Sequence, residues 1–517
     1  MKNNNNVRIL LGILSIYLIS ACTDLEFENE GGIIPEGIGE STELLSSAYG
    51  QLREFANERV IFGLSGHSTD EMLGPTRGTD WFDGGVFQQM HLHTWTPDHL
   101  FIRTSWSDIN RGVFRATQAI SGDGATPQLI AEAKTVRAYF MFYVLDFWGI
   151  TVFREAEDGV SVNPRVLTSS ESVAFLIQDL EEALADLPET SSKNLANKNT
   201  ARALLTKLYL NKAVYESDNR AAGSFSFAKQ DMDKVIEYAN DIIQSGQYSL
   251  TSGLEGYFNT FAEANEGQSS ELIFSVPESE LTDFKRRWNC SLHYNQKPSG
   301  WNGFATLSDF YDSFDANDVR LGGDYNSATN PYTTSTGTKA GFLIGQQFDE
   351  NGTALTTRNG TPLAYTRDVD VAINTEEKGI RVLKYIPDFT GGVDNADDPN
   401  NSYVLLRYAD VLLNKAEAIY RGGSDAALGQ AASDVFDEIR VARGLTAGSL
   451  NLTDDEILAE RGRELYWEGW RRNDLVRFGK YLSAWQLKEA SGSERILFPI
   501  PTTALLSNPD LSQNPGY

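Results

Sequence analysis

Two loops each set an indole beside polar side chains, charged in the first and an amide in the second. Residues 69–95 read TDEMLGPTRGTDWFDGGVFQQMHLHTW, with Trp81 in a glycine-flanked segment beside Arg77, Asp80 and Asp83. Residues 297–304 read KPSGWNGF, with Trp301 between glycines and next to Asn302. Exposing a large apolar side chain in a polar loop is costly unless a ligand or partner covers it. An indole face suits the axial C–H face of a pyranose, while Arg, Asp and Asn reach its hydroxyls. Aromatic walls with a few placed polar groups are the usual make-up of a ligand site. The competing reading is that both indoles plug the body beneath their loops. The candidate ligand-binding residues are Trp81, Arg77, Asp80, Trp301, Asn302 and the neighbouring Tyr294.

Catalytic and metal templates are sparse. There is no G-x-S-x-G, P-loop, H-E-x-x-H or CxxC in the sequence. His91-x-His93 would set two rings on one side of a strand, with His99 nearby, but a third and fourth metal ligand cannot be placed. Asp394, Asp397 and Asp398 in DNADDPNN resemble a calcium loop without the D-x-[DN]-x-[DN]-G order. With 71 acidic residues, a carboxylate pair at glycosidase spacing carries no weight. The expectation is a binding protein, not an enzyme, with no cofactor beyond a calcium ion at that aspartate run.

Residues 459–480, AERGRELYWEGWRRNDLVRFGK, are the most ion-dense stretch. Leu458, Gly462, Leu465 and Gly469 fall at helical spacing, and two glycines on one face predict a close approach by another backbone. Glu464 and Glu468 would repel as i,i+4 neighbours unless arginines from elsewhere sit between them. A buried structural ion network is the reading.

The elements that must position these residues follow in order. Residues 1–21 form an export segment, with Lys2 and Arg8 ahead of the apolar run 9–19. That run is too short for a bilayer core, which needs about 20 residues. Ile19-Ser20-Ala21-Cys22 resembles a lipoprotein cleavage box, making Cys22 the acylated anchor. Residues 22–40 read as a tether. Beyond Cys22 only Cys290 remains, so no internal disulfide supports the core. The formal charge of −27 becomes −29 without Lys2 and Arg8, which argues against nucleic acid or anionic lipid as partners. Residues 41–250 are helical: 104–120, 127–148, 170–187, 199–215 and 231–245 repeat apolar residues at 3.5–4 spacing. The last three start about 30 residues apart, near the tetratricopeptide period. Between 250 and 402 the periodicity fades into glycine-rich loops with short strands at 271–277 and 382–387. Helices resume at 403–420, 425–443 and 453–467, before an extended Pro-rich tail. Trp95, Trp106 and Trp148 fall at framework positions and belong to the core.

Several stretches together resemble one family. Glu460, Arg461, Arg463, Glu464, Leu465, Glu468, Gly469, Arg471, Asp474, Leu475, Arg477 and Gly479 match the pattern E-R-x-R-E-L-x-x-E-G-x-R-x-x-D-L-x-R-x-G, which resembles the C-terminal signature of the SusD/RagB family. RAYFMFYVLDFWG at 137–149, LLRYADVLLNKAEA at 405–418 and FPIP…NPDLSQNPGY at 498–517 agree in order. The resemblance implies a mainly α-helical, SusD-like fold with tetratricopeptide-like helix pairs as scaffold, residues 41–250 and 251–517 packing as one body. It implies a lipid-anchored outer-membrane protein facing the cell exterior. Such a protein captures an oligosaccharide and passes it to a TonB-dependent SusC-like transporter, and sugar-stacking aromatics come from loops in corresponding regions. The alternatives are a peptide-binding protein of the RagB kind and a surface glycoside hydrolase.

Overall fold

The helix Pro127–Trp148 organises the first half, and its ends are written in its sequence. The Thr126 hydroxyl accepts the Leu129 N–H, Pro127 opens the first turn, and Gly149, at φ 75°, closes it by donating its N–H to Leu145. From Thr135 to Trp148 the side chains are buried without a break, so that part of the helix is enclosed on all sides. Leu100–Ile120 packs along one flank. A Cβ on Gly112 would stand 2.5 Å from the Phe140 ring, so only glycine allows that approach. In this computed structural model the described residues are 39–155, 158, 162–277, 287–325, 339–389 and 401–517. The anchor segment 1–21, Cys22, the tether up to residue 38 and Asp394, Asp397 and Asp398 lie outside them. Glu40–Tyr517 cluster as one compact unit.

Ser169–Ala183, Lys198–Tyr215 and Lys229–Gln244 pack in succession, as the 30-residue spacing predicts, and Tyr408–Tyr420 continues the stack against the last two. Thr168 and Glu171 form a capping box at the first of these helices. Trp95, Trp106 and Trp148 are all buried. The loop-rich region holds short antiparallel pairings: Gly322–Gly323, Ala340–Leu343 and Arg381–Leu383 form one sheet, and Gly345–Gln346 pairs with Ala364–Tyr365. The tail runs along the body, with the Phe498 N–H donating to Phe147 and the Trp95 indole N–H to the Tyr517 hydroxyl.

Five expectations need correction. Residues 403–407 do not open a helix; Tyr403–Arg407 is a strand antiparallel to Leu272–Val276, buried on both faces. A short apolar run cannot be assigned to helix or strand by periodicity alone. The 425–443 helix is only Ala432–Ala442, because the Asp425 carboxylate accepts the Leu428 and Gln430 N–H groups and holds a loop there. Residues 91–93 are not a strand: His91 ends a helix and His93 sits at φ 54°. The ion-dense helix stops at Leu465, with Trp467 at φ 58° and Gly469 at φ 83°. The space at Gly462 is filled by the Arg471 guanidinium, 2.6 Å from where its Cβ would be, and not by a backbone.

The ion network itself is present. Glu464 pairs with Arg407, Arg443 and Arg320 at 2.7, 2.8 and 2.9 Å, and Arg407 also bonds Glu468 at 2.8 Å. All five side chains are buried. The guanidiniums overcome the burial penalty and hold the Glu464 carboxyl well below its ordinary range.

Candidate ligand pocket

Three loops distant in sequence meet at one surface, locked by two buried side chains. Arg77 and Asp80 exchange backbone hydrogen bonds at 2.9 Å, making a tight turn that presents Trp81. Arg77 is only 3% exposed; its guanidinium donates to the carbonyls of Gly303, Thr375 and Lys378. Asn302 is fully buried at φ 52°, donating its amide to the Glu376 carbonyl at 3.0 Å and accepting from Arg381 at 2.8 Å. Burial pulls the Arg77 and Arg381 guanidiniums down, Arg381 to about 10. Arg77 and Asn302 therefore brace the loops from beneath and do not face solvent.

The other candidates stand nearer the surface. Trp81 is half-buried at φ 63°, a strained conformation for a bulky residue. Its indole N–H donates to the Trp301 carbonyl at 2.8 Å, and its ring meets Phe304 and Phe87 edge-on at 5.2 and 5.4 Å. A Cβ on Gly303 would stand 2.4 Å from that indole, so glycine is required there. Trp301 is also half-buried. The Tyr294 hydroxyl donates to Asp80 at 3.0 Å, and burial together with that carboxylate pushes it up to about 12. All six candidates thus fall in one neighbourhood.

The third loop carries groups that sequence reasoning did not single out. The Arg358 guanidinium lies 4.2 Å from the Tyr294 ring centroid and bridges Asp80 at 2.6 Å and Glu376 at 2.5 Å. His293 Nε2 is 2.9 Å from the other Glu376 oxygen. Burial works against the Glu376 carboxylate, but the Arg358 N–H and guanidinium and the His293 ring outweigh it and hold it below its ordinary value. These groups border a cavity of about 400 Å³ whose walls include Asp80, Arg358, Asn359, Glu376 and Glu377. Its lining does not include the two indoles, which lie alongside. No sequence signal marks Arg358 or Glu376: R-N-G and T-E-E-K are ordinary turn compositions.

His93 and His99 are occupied elsewhere. His93 is held between the Ser68 carbonyl at 3.0 Å and the Ser491 hydroxyl at 2.9 Å, and the His99 ring caps its own helix. Among the described residues no group of three His, Cys, Asp or Glu could hold a metal ion, and no helix there is long and apolar enough to cross a membrane.

A sequence profile of the SusD family matches residues 270–517. The starch-binding protein SusD of Bacteroides thetaiotaomicron is 25% identical over 499 residues, covering 89% of this chain and 85% of that one. SusD-like protein P38 of Formosa agariphila is 27% identical across the whole of both chains. The chain is similar to SusD-family proteins over nearly its whole length. Its fold is SusD-like throughout: surface glycan-binding protein A from Bacteroides thetaiotaomicron, solved with laminarihexaose, superposes with a TM-score of 0.65 at 19% identity, covering 92% of this chain and 98% of that one. The ion network sits in the part matched by the SusD profile, whereas the Trp81 loop lies outside it.

Proposed function

We propose that this SusD-like protein binds an oligosaccharide at the surface formed by Trp81, Trp301, Tyr294, Asp80, Arg358 and Glu376, and releases it unchanged. The observation that carries this is the junction itself. Two loops rich in aromatic residues are fixed to a third by the Arg358 bridge, beside a cavity lined by hydrogen-bonding side chains. The names of the relatives, a starch-binding protein and a glycan-binding protein held with laminarihexaose, favour a glycan over a peptide. Arg77 and Asn302 serve this reading indirectly, by holding the loops in register. Likeness to the SusD family also supports delivery to a TonB-dependent SusC-like transporter, and the Cys22 box supports lipid anchoring on the outer membrane, facing the exterior.

The test is a glycan array with the protein lacking residues 1–22, followed by calorimetry on the hits. Recovery of intact oligosaccharide after long incubation is expected. Binding to peptides with no glycan hit would overturn the glycan reading, and shortened products would make the protein a hydrolase. For delivery, loss of the transporter should abolish uptake while leaving binding in vitro intact.

A further inference from the structure

The cavity is rich in acceptors and poor in available cationic donors. Its lining carries three carboxylates, Asp80, Glu376 and Glu377, and two guanidiniums, Arg77 and Arg358. Arg77 is turned to other work: its Nε, Nη1 and Nη2 all donate to backbone carbonyls beneath the floor. Arg358 is the accessible cation, with 49% of its side chain exposed, and its charge is already divided between Asp80 and Glu376. Charge-assisted bonds of this kind are the strong ones. A ligand carboxylate or sulfate could reach the remaining Arg358 N–H groups only by lying beside the two carboxylates already paired with that guanidinium. Like charges at that range repel, and more so against protein walls than in water. A sugar hydroxyl meets no such penalty. It donates to a carboxylate oxygen while the Arg358 bridge stays in place, and the exposed Asn359 at the wall both donates and accepts.

We infer that the pocket selects neutral oligosaccharides and rejects those bearing uronate or sulfate groups, and that Arg358, its charge offset by Asp80 and Glu376, is the residue that sets this preference. The inference rests on the glycan reading above and narrows its substrate class. It also gives the Arg358 bridge a role apart from loop stability, since the same bridge that joins three loops offsets the charge an acidic sugar would seek.

The experiment uses the protein lacking residues 1–22 and two panels of probes. The neutral panel holds α-glucan, β-glucan, xylan and mannan oligosaccharides; the acidic panel holds oligogalacturonates, alginate oligosaccharides and sulfated galactans. Binding is expected in the neutral panel, with acidic probes weaker by about tenfold or more. Affinity for the neutral hit should hold nearly constant as salt rises, because screening acts on charge pairs. In the double variant Asp80→Asn/Glu376→Gln, Arg358 is released, and acidic probes should gain affinity with a steep salt dependence. Adding Arg358→Ala to that variant should remove the gain. Acidic probes binding the unaltered protein as tightly as neutral ones would overturn the inference and leave the glycan reading standing. A folded double variant with no gain for acidic probes would also overturn it; if that variant does not fold, the salt titration and panels on the unaltered protein decide. Failure of both panels is a different result, and overturns the glycan reading itself.

Discussion

The indole N–H of Trp81 donates to the backbone carbonyl of Trp301 at 2.8 Å, joining residues 220 positions apart. The bond makes the two tryptophans unequal. Trp81 supplies the side chain and also packs edge-on against Phe87 and Phe304, whereas Trp301 contributes its main chain, which survives any substitution. Trp81→Ala is therefore expected to cost stability, about 3 kcal/mol, at the low end for a truncated core aromatic. Trp301→Ala leaves that hydrogen bond in place. Each should also weaken oligosaccharide binding by roughly 1–3 kcal/mol, the scale of stacking on an aromatic ring. Thermal melts and calorimetric titration separate the two effects. Unchanged affinity per folded molecule in both variants would reject stacking at these indoles.

A second expectation concerns the ion network. Glu464 is buried among Arg320, Arg407 and Arg443. Glu464→Ala leaves those guanidiniums partly uncompensated and should destabilise the fold by about 3–5 kcal/mol. The network also sets an acid limit. Despite burial, the Glu460 carboxyl is lowered to about 2 by Arg320, Arg463 and Arg440, and Glu464 is likewise depressed. A depressed folded-state value means the contribution is complete above the unfolded value, about 4.3, and is lost as pH falls toward the folded one. Urea unfolding should show stability falling steeply between about pH 4.5 and 2 in the native protein. A flat profile there would contradict the buried pairing.

How much of this was legible in the sequence depends on what fixed each feature. The helix Pro127–Trp148 announces itself by Pro127, Gly149 and a sustained apolar repeat, all local signals. The arginines between Glu464 and Glu468 were expected because like charges so close need partners, and Arg407 is one of them, bonding both. Their geometry was not legible, since the break at Leu465 depends on a left-handed Trp467 that nothing nearby marks. At the pocket, residue types exposed Trp81, Asp80 and Trp301, but the same reasoning could not tell that Arg77 and Asn302 would turn inward toward backbone carbonyls. Arg358 stayed invisible because its bond to Asp80 spans 278 positions and exists only once the loops are folded together.

Anchoring is testable apart from the fold. No helix among the described residues is long and apolar enough to cross a membrane. If acyl chains on Cys22 hold the protein, Cys22→Ser should move it from the membrane fraction to the soluble one, since two or more chains are what make such anchoring stable. Fractionation at high salt checks this, and retention of the variant would remove Cys22 as the anchor.

Glu71 should impose the opposite pH dependence from the ion network. It is fully buried, and neither carboxyl oxygen accepts a well-formed hydrogen bond. The nearby Arg471 is committed to Asp70 through two bonds of 2.7 Å, and Lys384 to Glu468 at 2.6 Å. Burial therefore dominates and raises Glu71 from 4.5 to about 8. A carboxyl raised on folding stays neutral in the folded state at pH values where the unfolded chain ionises it. Its contribution is then intact below about pH 4.3 and lost as pH rises toward 8, roughly 3–5 kcal/mol in all. Glu71→Gln keeps the shape and removes the titration. The variant is expected to gain on the native protein steadily from pH 5 to pH 9, whatever their difference at pH 5. Urea unfolding of both at pH 5, 7 and 9 measures the gain, and a difference that does not change with pH would mean that Glu71 is ionised and solvated in the folded protein.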